Sequence, residues 1–181
     1  MRDAARRAFA RFDDAVERRL DHRRGNRVLD RLFYGASELG DWSLVWFLVG
    51  LLQALLPGRD PLSFVRLAVI LGAESALVNG PIKQIFRRGR PEWTAATPRP
   101  HRLRTPRTSS FPSGHASAAF CAAGVLAAGG DHLWPVYYAI AVVVASSRCF
   151  VRIHHASDVL GGAALGVLLG LLANQIWPPF T

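Results

Sequence analysis

The chain has 181 residues, half of them apolar, and its 22 Lys and Arg residues exceed its 13 Asp and Glu residues to give a net charge of +9. That charge suits nucleic acid, anionic lipid or phosphorylated small molecules as partners. Nucleic acid is excluded, because it requires a basic face on a soluble fold and the chain carries long apolar segments instead. Cys121 and Cys149 form no metal-binding or disulfide pattern, so both are expected to be buried thiols.

Residues 1–24 are predicted to form an amphipathic helix, with Arg, Asp and Glu between its apolar residues. The apolar residues recur at spacings of three and four: Phe9, Phe12, Val16 and Leu20. Two interpretations are open, because the helix could lie on an anionic lipid surface or pack on the surface of the protein itself. The length of the chain predicts a basic arm at residues 1–31 and one domain at residues 32–181.

Five apolar segments follow the arm, at residues 42–56, 62–82, 115–130, 133–147 and 157–177. A helix that spans a bilayer needs about 20 apolar residues, and only the second and fifth segments reach that length alone. The tight turns at Pro57-Gly58 and Gly129-Gly130-Asp131 lie between long apolar runs and leave little polar surface for the alternative, a soluble helical bundle. Gly162, Gly166 and Gly170 give the fifth segment the spacing that lets membrane helices approach closely. The sequence therefore predicts an all-α integral membrane protein with about five transmembrane helices, or alternatively six, and an N-terminal amphipathic interfacial helix.

The distribution of cations predicts the orientation in the membrane. With five spans, the arm, the loop at 83–114 and the turn at 148–156 share one side, and every Lys and Arg except Arg59 and Arg66 lies on or near it. The positive-inside rule places that side in the cytoplasm. Only one of the 22 cations is a lysine, a bias typical of GC-rich genomes. We therefore expect a multi-pass protein of a bacterial plasma membrane, with its functional residues on the cytoplasmic side.

Three polar clusters stand at helix ends on that side: KQIFRRGRP at 83–91, PSGH at 112–115 and SRCFVRIHHASD at 147–158. The second begins a helix, with Ser110 or Ser113 available as its cap, and a helix start receives anions through its unpaired N–H groups. Gly114 allows the backbone to approach such an anion closely. Three cations end on the same side: Lys83, Arg90 and Arg148. Together these groups are typical of a phosphate site.

His154 and Asp158 are four residues apart, so on a helix they would share one face. An aspartate that accepts one ring N–H fixes the tautomer and leaves the other nitrogen free to act as a nucleophile. His115 can protonate the leaving oxygen and later accept a proton from water. This chemistry requires no metal ion or other cofactor, and the adjacent His154 and His155 would point about 100° apart on a helix, which does not favour a metal site.

Several polar residues have simpler interpretations. The PSGH cluster alone could be a helix cap, and Arg87 and Arg88 are interpreted as positive-inside anchors. His101 and His132 are expected to be solvated loop residues. Glu74 lies within the second apolar segment, where a carboxylate is costly, and a structural polar partner is expected for it.

Together the three clusters resemble the type 2 phosphatidic acid phosphatase (PAP2) superfamily, which includes lipid phosphatases and vanadium haloperoxidases. Its motifs are K-x6-RP, PSGH and SR-x5-H-x3-D, and all three occur here in order and at the same spacings. The resemblance covers about residues 40–177. It implies phosphate binding by Lys83, Arg90, Ser113, the Gly114 amide and Arg148. It also implies His115 as acid and base, His154 as a nucleophile that forms a phosphohistidine, and Asp158 as its orienting partner.

The chain departs from the family pattern in two places. Family members with six spans have three spans before the K-x6-RP motif, whereas this chain has room for two, and the arm is a candidate to replace the third. The family usually has glycine two residues before the histidine of its third motif, where this chain has Arg152. The local turn is therefore in question, and Arg152 adds a cation that could contact a second phosphate or a phosphosugar head group.

The expected activity is hydrolysis of a phosphate monoester or diphosphate on a membrane lipid. Compact family members in high-GC bacteria resemble polyprenylphosphoryl-phosphoribose phosphatases, so a polyprenyl-linked phosphate such as polyprenylphosphoryl-5-phosphoribose is the preferred substrate. Phosphatidylglycerol phosphate, phosphatidic acid and polyprenyl diphosphate remain open, as does the oligomeric state. Two other classes fit less well, since a vanadium haloperoxidase would be a much larger soluble chain and a membrane channel or lipid-binding scaffold would leave the three motifs unexplained.

Overall fold

The computed structural model describes residues 2–92 and 108–180, and this part of the chain is helical, with no strand. Its α-helices are α1 Arg2–Asp21, α2 Arg27–Gly40, α3 Leu44–Ala54, α4 Leu62–Leu77, α5 Lys83–Ile85, α6 Gly114–Ala127, α7 Trp134–Phe150 and α8 Ala156–Ile176. α6 lies at the centre of the bundle and packs against α8, α7 and α4. His101 lies outside the described residues.

The predicted amphipathic helix is α1, and each of the five predicted apolar segments overlaps an α-helix, in order α3, α4, α6, α7 and α8. By length and composition, two helices among the described residues could cross a membrane: Leu62–Ile85, which joins α4 to α5, and α8. Their mean hydropathies are 1.5 and 1.8, and they are the two segments that the sequence predicted to reach spanning length alone. α6 and α7 are apolar but shorter. The count of five or six crossings stays a prediction.

α2 has no counterpart among the predicted elements. Its sequence, RVLDRLFYGASELG, contains no long apolar run, so the hydropathy pattern does not mark it. The helix begins at Asn26, whose Oδ1 accepts hydrogen bonds from the backbone N–H groups of Val28 and Leu29. It packs against α7 and buries three residues at a spacing of three: Tyr34, Ser37 and Gly40. α2 runs across residue 31, where the arm was predicted to end.

A sharp turn at Asp41–Ser43 joins α2 to α3. Trp42 and Ser43 both adopt the left-handed backbone conformation, with φ of 56° and 59°. This conformation is costly for residues other than glycine and persists only where surrounding contacts hold it. The turn places Asp41 beside the first turn of α6.

The regular α-helical geometry of α4 ends at Leu77. Val78–Ile82 forms a π-helical turn that contains Pro81. Because proline has no N–H to donate, the regular ladder of hydrogen bonds is broken there. The short α5 follows, and Lys83 at its start is buried.

α6 and α8 pack through a stripe of glycines on α8. A β-carbon at position 162 would overlap a backbone carbonyl oxygen just before α6, and one at position 166 would overlap a carbonyl oxygen within α6. A β-carbon at position 170 would come within 3.1 Å of a third carbonyl oxygen. The three carbonyl groups belong to Ser113, Ser117 and Cys121. The close approach predicted from the spacing of small residues is therefore confirmed.

Replacing Gly166 with alanine is expected to destabilise the protein by about 1–3 kcal/mol, because the added methyl group has no space against the backbone of Ser117. Gly35→Ala is the matched control, since a β-carbon at that position of α2 meets nothing within 4 Å and alanine suits a helix interior better than glycine. Thermal unfolding in one detergent should show a lower midpoint for Gly166→Ala and an equal or higher one for Gly35→Ala. Equal midpoints in the two variants would contradict the close contact.

Candidate active site

The turn between α7 and α8 carries His154 into the interior. The backbone N–H groups of Ile153 and His154 both donate to the carbonyl oxygen of Arg148, each at 3.1 Å, and tie the turn to the end of α7. The His154 side chain is only 3% exposed. Its Nε2 lies 3.3 Å from Nη1 of Arg90, whereas its Nδ1 is directed towards the hydroxyl of Ser110.

Asp158, the predicted partner of His154, is fully buried in the first turn of α8. Its Oδ2 accepts hydrogen bonds from Ser110 Oγ at 2.5 Å and from the backbone N–H of His155 at 2.9 Å. The distance from Asp158 Oδ2 to His154 Nδ1 is 3.8 Å, which exceeds hydrogen-bond distance. Ser110 Oγ lies 3.5 Å from the same nitrogen and bridges the two side chains. The sequence indicated Ser110 only as a possible helix cap.

The surroundings of His154 keep its imidazole neutral. Burial lowers the pKa of His154 to about 3; the Asp158 carboxylate opposes this shift, and the guanidinium groups of Arg90 and Arg148 add to it. A neutral imidazole keeps one lone pair, which a nucleophile needs. When Nδ1 carries the proton and donates it to Ser110, the lone pair is on Nε2.

Two of the predicted phosphate-binding cations contact neutral oxygen atoms. Lys83 Nζ donates to Oδ1 of Asn79 at 2.8 Å. Arg90 donates to three backbone carbonyl oxygens at 2.9 or 3.3 Å, those of Ile153, Thr108 and Ser109. The Nε of Arg90 is buried and has no hydrogen-bond partner in the part of the chain that the structure describes. Both side chains can therefore interact with an added anion without giving up a carboxylate partner.

Arg148, the third predicted cation, is buried at the end of α7. It donates through Nη1 to the hydroxyl of Ser37 on α2. α2, which the sequence did not predict, thus holds Arg148, which the sequence predicted to bind phosphate.

The start of α6 has the predicted cap. Ser113 Oγ accepts a hydrogen bond from the backbone N–H of Ala116 at 3.5 Å, and the N–H of Ser113 donates to the carbonyl oxygen of Asp158 at 3.0 Å. Ser113 is buried, and its direct contact with phosphate stays a prediction. A β-carbon at Gly114 would lie 2.8 Å from Oδ1 of Asn79. The glycine therefore allows α6 to begin directly against the π-helical turn.

His115 faces the turn between α2 and α3. Its Nε2 lies 2.8 Å from Oδ1 of Asp41. Gly40 packs against the imidazole, since a β-carbon at that position would come within 2.9 Å of its Cδ2. Asp41 can therefore orient His115, a contact for which the sequence carries no motif.

A cavity of about 580 Å³ lies between these elements. Five of the predicted site residues line it: Lys83, Gly114, His115, Arg148 and His154. Arg90 lies in an adjoining groove and reaches His154 from there. Glu74 also lines the cavity although its surface is only 5% exposed. Its Oε1 has no hydrogen-bond partner of standard geometry among residues 2–92 and 108–180, and the polar neighbours that face the carboxyl group are Ser117 on α6 and Lys83.

Arg152 occupies the position at which the family usually has glycine, and its φ of 53° explains that preference. Its side chain pairs with Glu17 at 2.7 Å and with Asp21, both on α1. The turn is therefore formed with an arginine in a left-handed conformation. Arg152 is directed at α1 and is not among the residues that line the cavity, and its contact with a head group stays a prediction.

Arg88 has contacts that the sequence did not predict. Its Nη1 pairs with Oδ1 of Asp158 at 2.6 Å, and its Nη2 pairs with Oδ2 of Asp13 on α1 at 2.5 Å. The interpretation of Arg88 as a simple anchor is wrong, and it arose because both partners are 70 or more residues away in the chain. The neighbouring Arg87 is exposed.

Comparison with known proteins agrees with this geometry. Residues 63–181 match the model of the PAP2 superfamily. The chain belongs to the PAP2 superfamily. The resemblance that rested on three short motifs is thus confirmed, and the protein is a phosphoric ester hydrolase of that superfamily.

Relatives and solved structures fit the same assignment. The chain is 32% identical over 143 residues to the decaprenylphosphoryl-5-phosphoribose phosphatase of Mycobacterium tuberculosis (strain CDC 1551 / Oshkosh). The aligned residues cover 78% of this chain and 77% of that protein. It is 30% identical over 158 residues to phosphatidylglycerophosphatase B of Bacillus subtilis (strain 168), with 81% and 74% covered. Its fold is similar to the crystal structure of a transmembrane PAP2 type phosphatidylglycerolphosphate phosphatase from Bacillus subtilis, with a TM-score of 0.71 at 23% identity over 93% of this chain and 86% of that one.

Arg88→Gln is expected to lower kcat by about tenfold or more, because a hydrogen bond to a charged group is worth roughly 1.5–3 kcal/mol and about 1.4 kcal/mol corresponds to a factor of ten in rate. The matched control is Arg87→Gln, which makes the same change at an exposed neighbour and is expected to keep the wild-type rate. Steady-state phosphate release from a lipid phosphate by both purified variants measures the difference. Equal rates would remove Arg88 from the active site.

Proposed function

We propose that the protein hydrolyses a phosphate ester of a membrane lipid through a phosphohistidine formed on His154, without a metal ion. One observation carries the proposal. A buried, neutral imidazole presents Nε2 to Arg90, beside a cavity that Lys83 and Arg148 also line. An oriented nucleophile next to several cations is suited to attack on a phosphate.

In the first step, His154 Nε2 attacks the phosphorus atom and the bond from phosphorus to the lipid oxygen breaks. The charge that develops on the phosphoryl oxygens is stabilised by Lys83, Arg90 and Arg148, and by the Gly114 N–H at the start of α6. The lipid alcohol leaves, and the phosphoryl group stays on His154.

His115 supplies and later recovers the proton. Its Nε2 is held by Asp41, which leaves Nδ1 for proton transfer to the departing lipid oxygen. The same nitrogen then takes a proton from water, and the water oxygen attacks the phosphohistidine to release inorganic phosphate. On the other side of the nucleophile, Ser110 and Asp158 stabilise the positive charge that the imidazole ring acquires.

We further propose a polyprenyl-linked phosphate, such as polyprenylphosphoryl-5-phosphoribose, as the substrate. The relative from Mycobacterium tuberculosis is named for a lipid of this class. The cavity, at about 580 Å³, is within the range of small-molecule sites and leaves room beyond one phosphate. Glu74 offers a buried carboxylate oxygen to which a sugar hydroxyl can donate. Phosphatidylglycerol phosphate also carries a head-group hydroxyl, whereas phosphatidic acid and polyprenyl diphosphate have none beside the phosphate.

The family and the two long apolar helices indicate a membrane protein. The bacterial plasma membrane and the cytoplasmic side of the active site stay predictions. So does the contact of α1 with anionic lipid, because α1 packs on the protein through one face and exposes Phe9 and Phe12 on another.

Removing either histidine is expected to block a different step. His154→Asn should lose about 10³-fold or more of the activity, because the nucleophile is absent. His115→Asn should still accept a phosphoryl group from p-nitrophenyl phosphate, whose leaving group needs no proton, but should hydrolyse the phosphohistidine slowly. Incubation with the radiolabelled compound is therefore expected to leave an acid-labile, base-stable label on His115→Asn and none on His154→Asn.

His132→Asn is the matched control for both variants, since His132 is exposed at the opposite end of the bundle and should keep wild-type activity. All assays include EDTA. Full loss of wild-type activity on chelation would contradict the metal-free mechanism, and full activity in His154→Asn would contradict the nucleophile.

Glu74→Gln is expected to lower kcat/KM for polyprenylphosphoryl-5-phosphoribose by about tenfold and for polyprenyl diphosphate by less than about threefold, because only the first lipid can donate a hydroxyl hydrogen bond to the carboxylate. Glu38→Gln, at an exposed position of α2, is the control and should change neither value. Equal losses on both lipids would make Glu74 a structural residue. Faster turnover of polyprenyl diphosphate than of the phosphoribose lipid by the wild type would contradict the proposed substrate.

A further inference from the structure

The N-terminal helix presents a row of carboxylates to the turn that carries the nucleophile. Asp13, Glu17 and Asp21 are spaced four residues apart on α1 and therefore lie along one face. Asp13 pairs with Arg88, whereas Glu17 and Asp21 pair with Arg152 in the turn before α8. α1 lies outside residues 63–181, the part that matches the family model.

Asp13 caps α8 from outside that helix. It is only 6% exposed, and its Oδ1 accepts a hydrogen bond from the backbone N–H of Ser157 at 2.8 Å. Its Oδ2 accepts a second one from Ser157 Oγ, also at 2.8 Å. Ser157 is the second residue of α8, where backbone N–H groups have no partner within the helix. A carboxylate at this place also interacts favourably with the helix dipole.

Arg88 connects Asp13 to the catalytic pair. Its Nη2 pairs with Asp13, while its Nη1 pairs with Asp158 at 2.6 Å and donates to Ser157 Oγ at 2.7 Å. The guanidinium group is therefore fixed at both ends by carboxylates. Asp158 in turn reaches His154 through the hydroxyl of Ser110.

The other two carboxylates hold the turn itself. Glu17 and Asp21 pair with Arg152, whose left-handed backbone requires support from its surroundings. Both also pair with Arg24, which donates to carbonyl groups in the last turn of α7. Those carbonyl groups belong to Cys149 and Phe150.

We propose that Asp13 is a positioning residue for the nucleophile and that α1 thereby forms part of the active site. The inference rests on the proposed role of His154. Without the Asp13 carboxylate, Arg88 and the first turn of α8 lose a shared anchor, so that Asp158 and the imidazole are free to move relative to the phosphate site. A misplacement of about 1 Å is enough to cost roughly 100-fold in rate.

Asp13→Asn tests the inference in the full-length protein. The variant keeps the shape of the side chain and an acceptor for the Ser157 N–H, but it removes the charge that fixes Arg88. We expect kcat for polyprenylphosphoryl-5-phosphoribose to fall by about tenfold or more while KM changes by less than about threefold, because the phosphate-binding cations are untouched. Asp14→Asn makes the same change at an exposed neighbour on α1 and is expected to keep the wild-type kcat.

A double variant separates positioning from general stabilisation. Because Asp13 acts partly through Arg88, the loss of kcat in Asp13→Asn combined with Arg88→Gln is expected to be smaller than the product of the two single losses. Losses that multiply fully would show that the two residues act independently and would overturn the inference. Unchanged kcat in Asp13→Asn, or an effect confined to thermal stability, would overturn it as well.

Ser157→Ala covers the case in which Asp13→Asn does not fold. It leaves α1 intact and removes the hydroxyl that lies between Asp13 and Arg88, so a fall in kcat without a change in KM is again expected. An unchanged kcat in both Ser157→Ala and Arg88→Gln would overturn the inference, because the hydroxyl contact and the direct ion pair of Asp13 would then both be without effect. If His154→Asn stays active, the proposed nucleophile fails instead, and the two failures are therefore distinguishable.

Discussion

The buried carboxylate of Asp158 is the constraint on which the active site depends. A carboxylate without exposed surface is stable only when its oxygens accept hydrogen bonds or face cations. The donors come from three segments of the chain: Ser110 ahead of α6, Arg88 after α5, and the backbone of His155 at the start of α8. One buried charge thus holds together the segments that carry the three sequence motifs, and it lies on the helix that follows His154.

The packing of α6 against α8 makes that meeting possible. Gly162 and Gly166 let the two backbones approach to direct contact, and the Ser113 N–H donates to the carbonyl oxygen of Asp158. Both helices therefore begin side by side and in the same direction. The start of α6 directs its partial positive charge to the cavity, which favours the binding of an anion there, whereas the carboxylates of Asp13 and Asp158 cap the start of α8.

The sequence predicted the parts of the site that depend on local spacing. His154 and Asp158 are separated by four residues, and this spacing brings them close, although α8 begins only at Ala156, so that His154 lies in the turn before the helix and Ser110 joins the two side chains. Asp41, Arg88 and Asp13 were not predicted, because each contacts a residue about 70 or more positions away. On an amphipathic helix such as α1 or α2, a charged residue gives the same pattern whether it faces water or a buried partner. Only the packed structure distinguishes the two cases.

The cations near the site fall into two groups according to their partners. Arg88 and Arg152 pair with carboxylates, those of Asp13, Asp158, Glu17 and Asp21. Within the described residues, the hydrogen bonds of Lys83 and Arg90 go to amide, carbonyl and imidazole groups. A cation paired with a carboxylate is largely neutralised, whereas one that faces neutral dipoles keeps its attraction for an anion. The carboxylates of α1 therefore balance the arginines that build the turn, and the cation that is left to face neutral groups beside Nε2 of His154 is Arg90, where the proposed mechanism requires a phosphate.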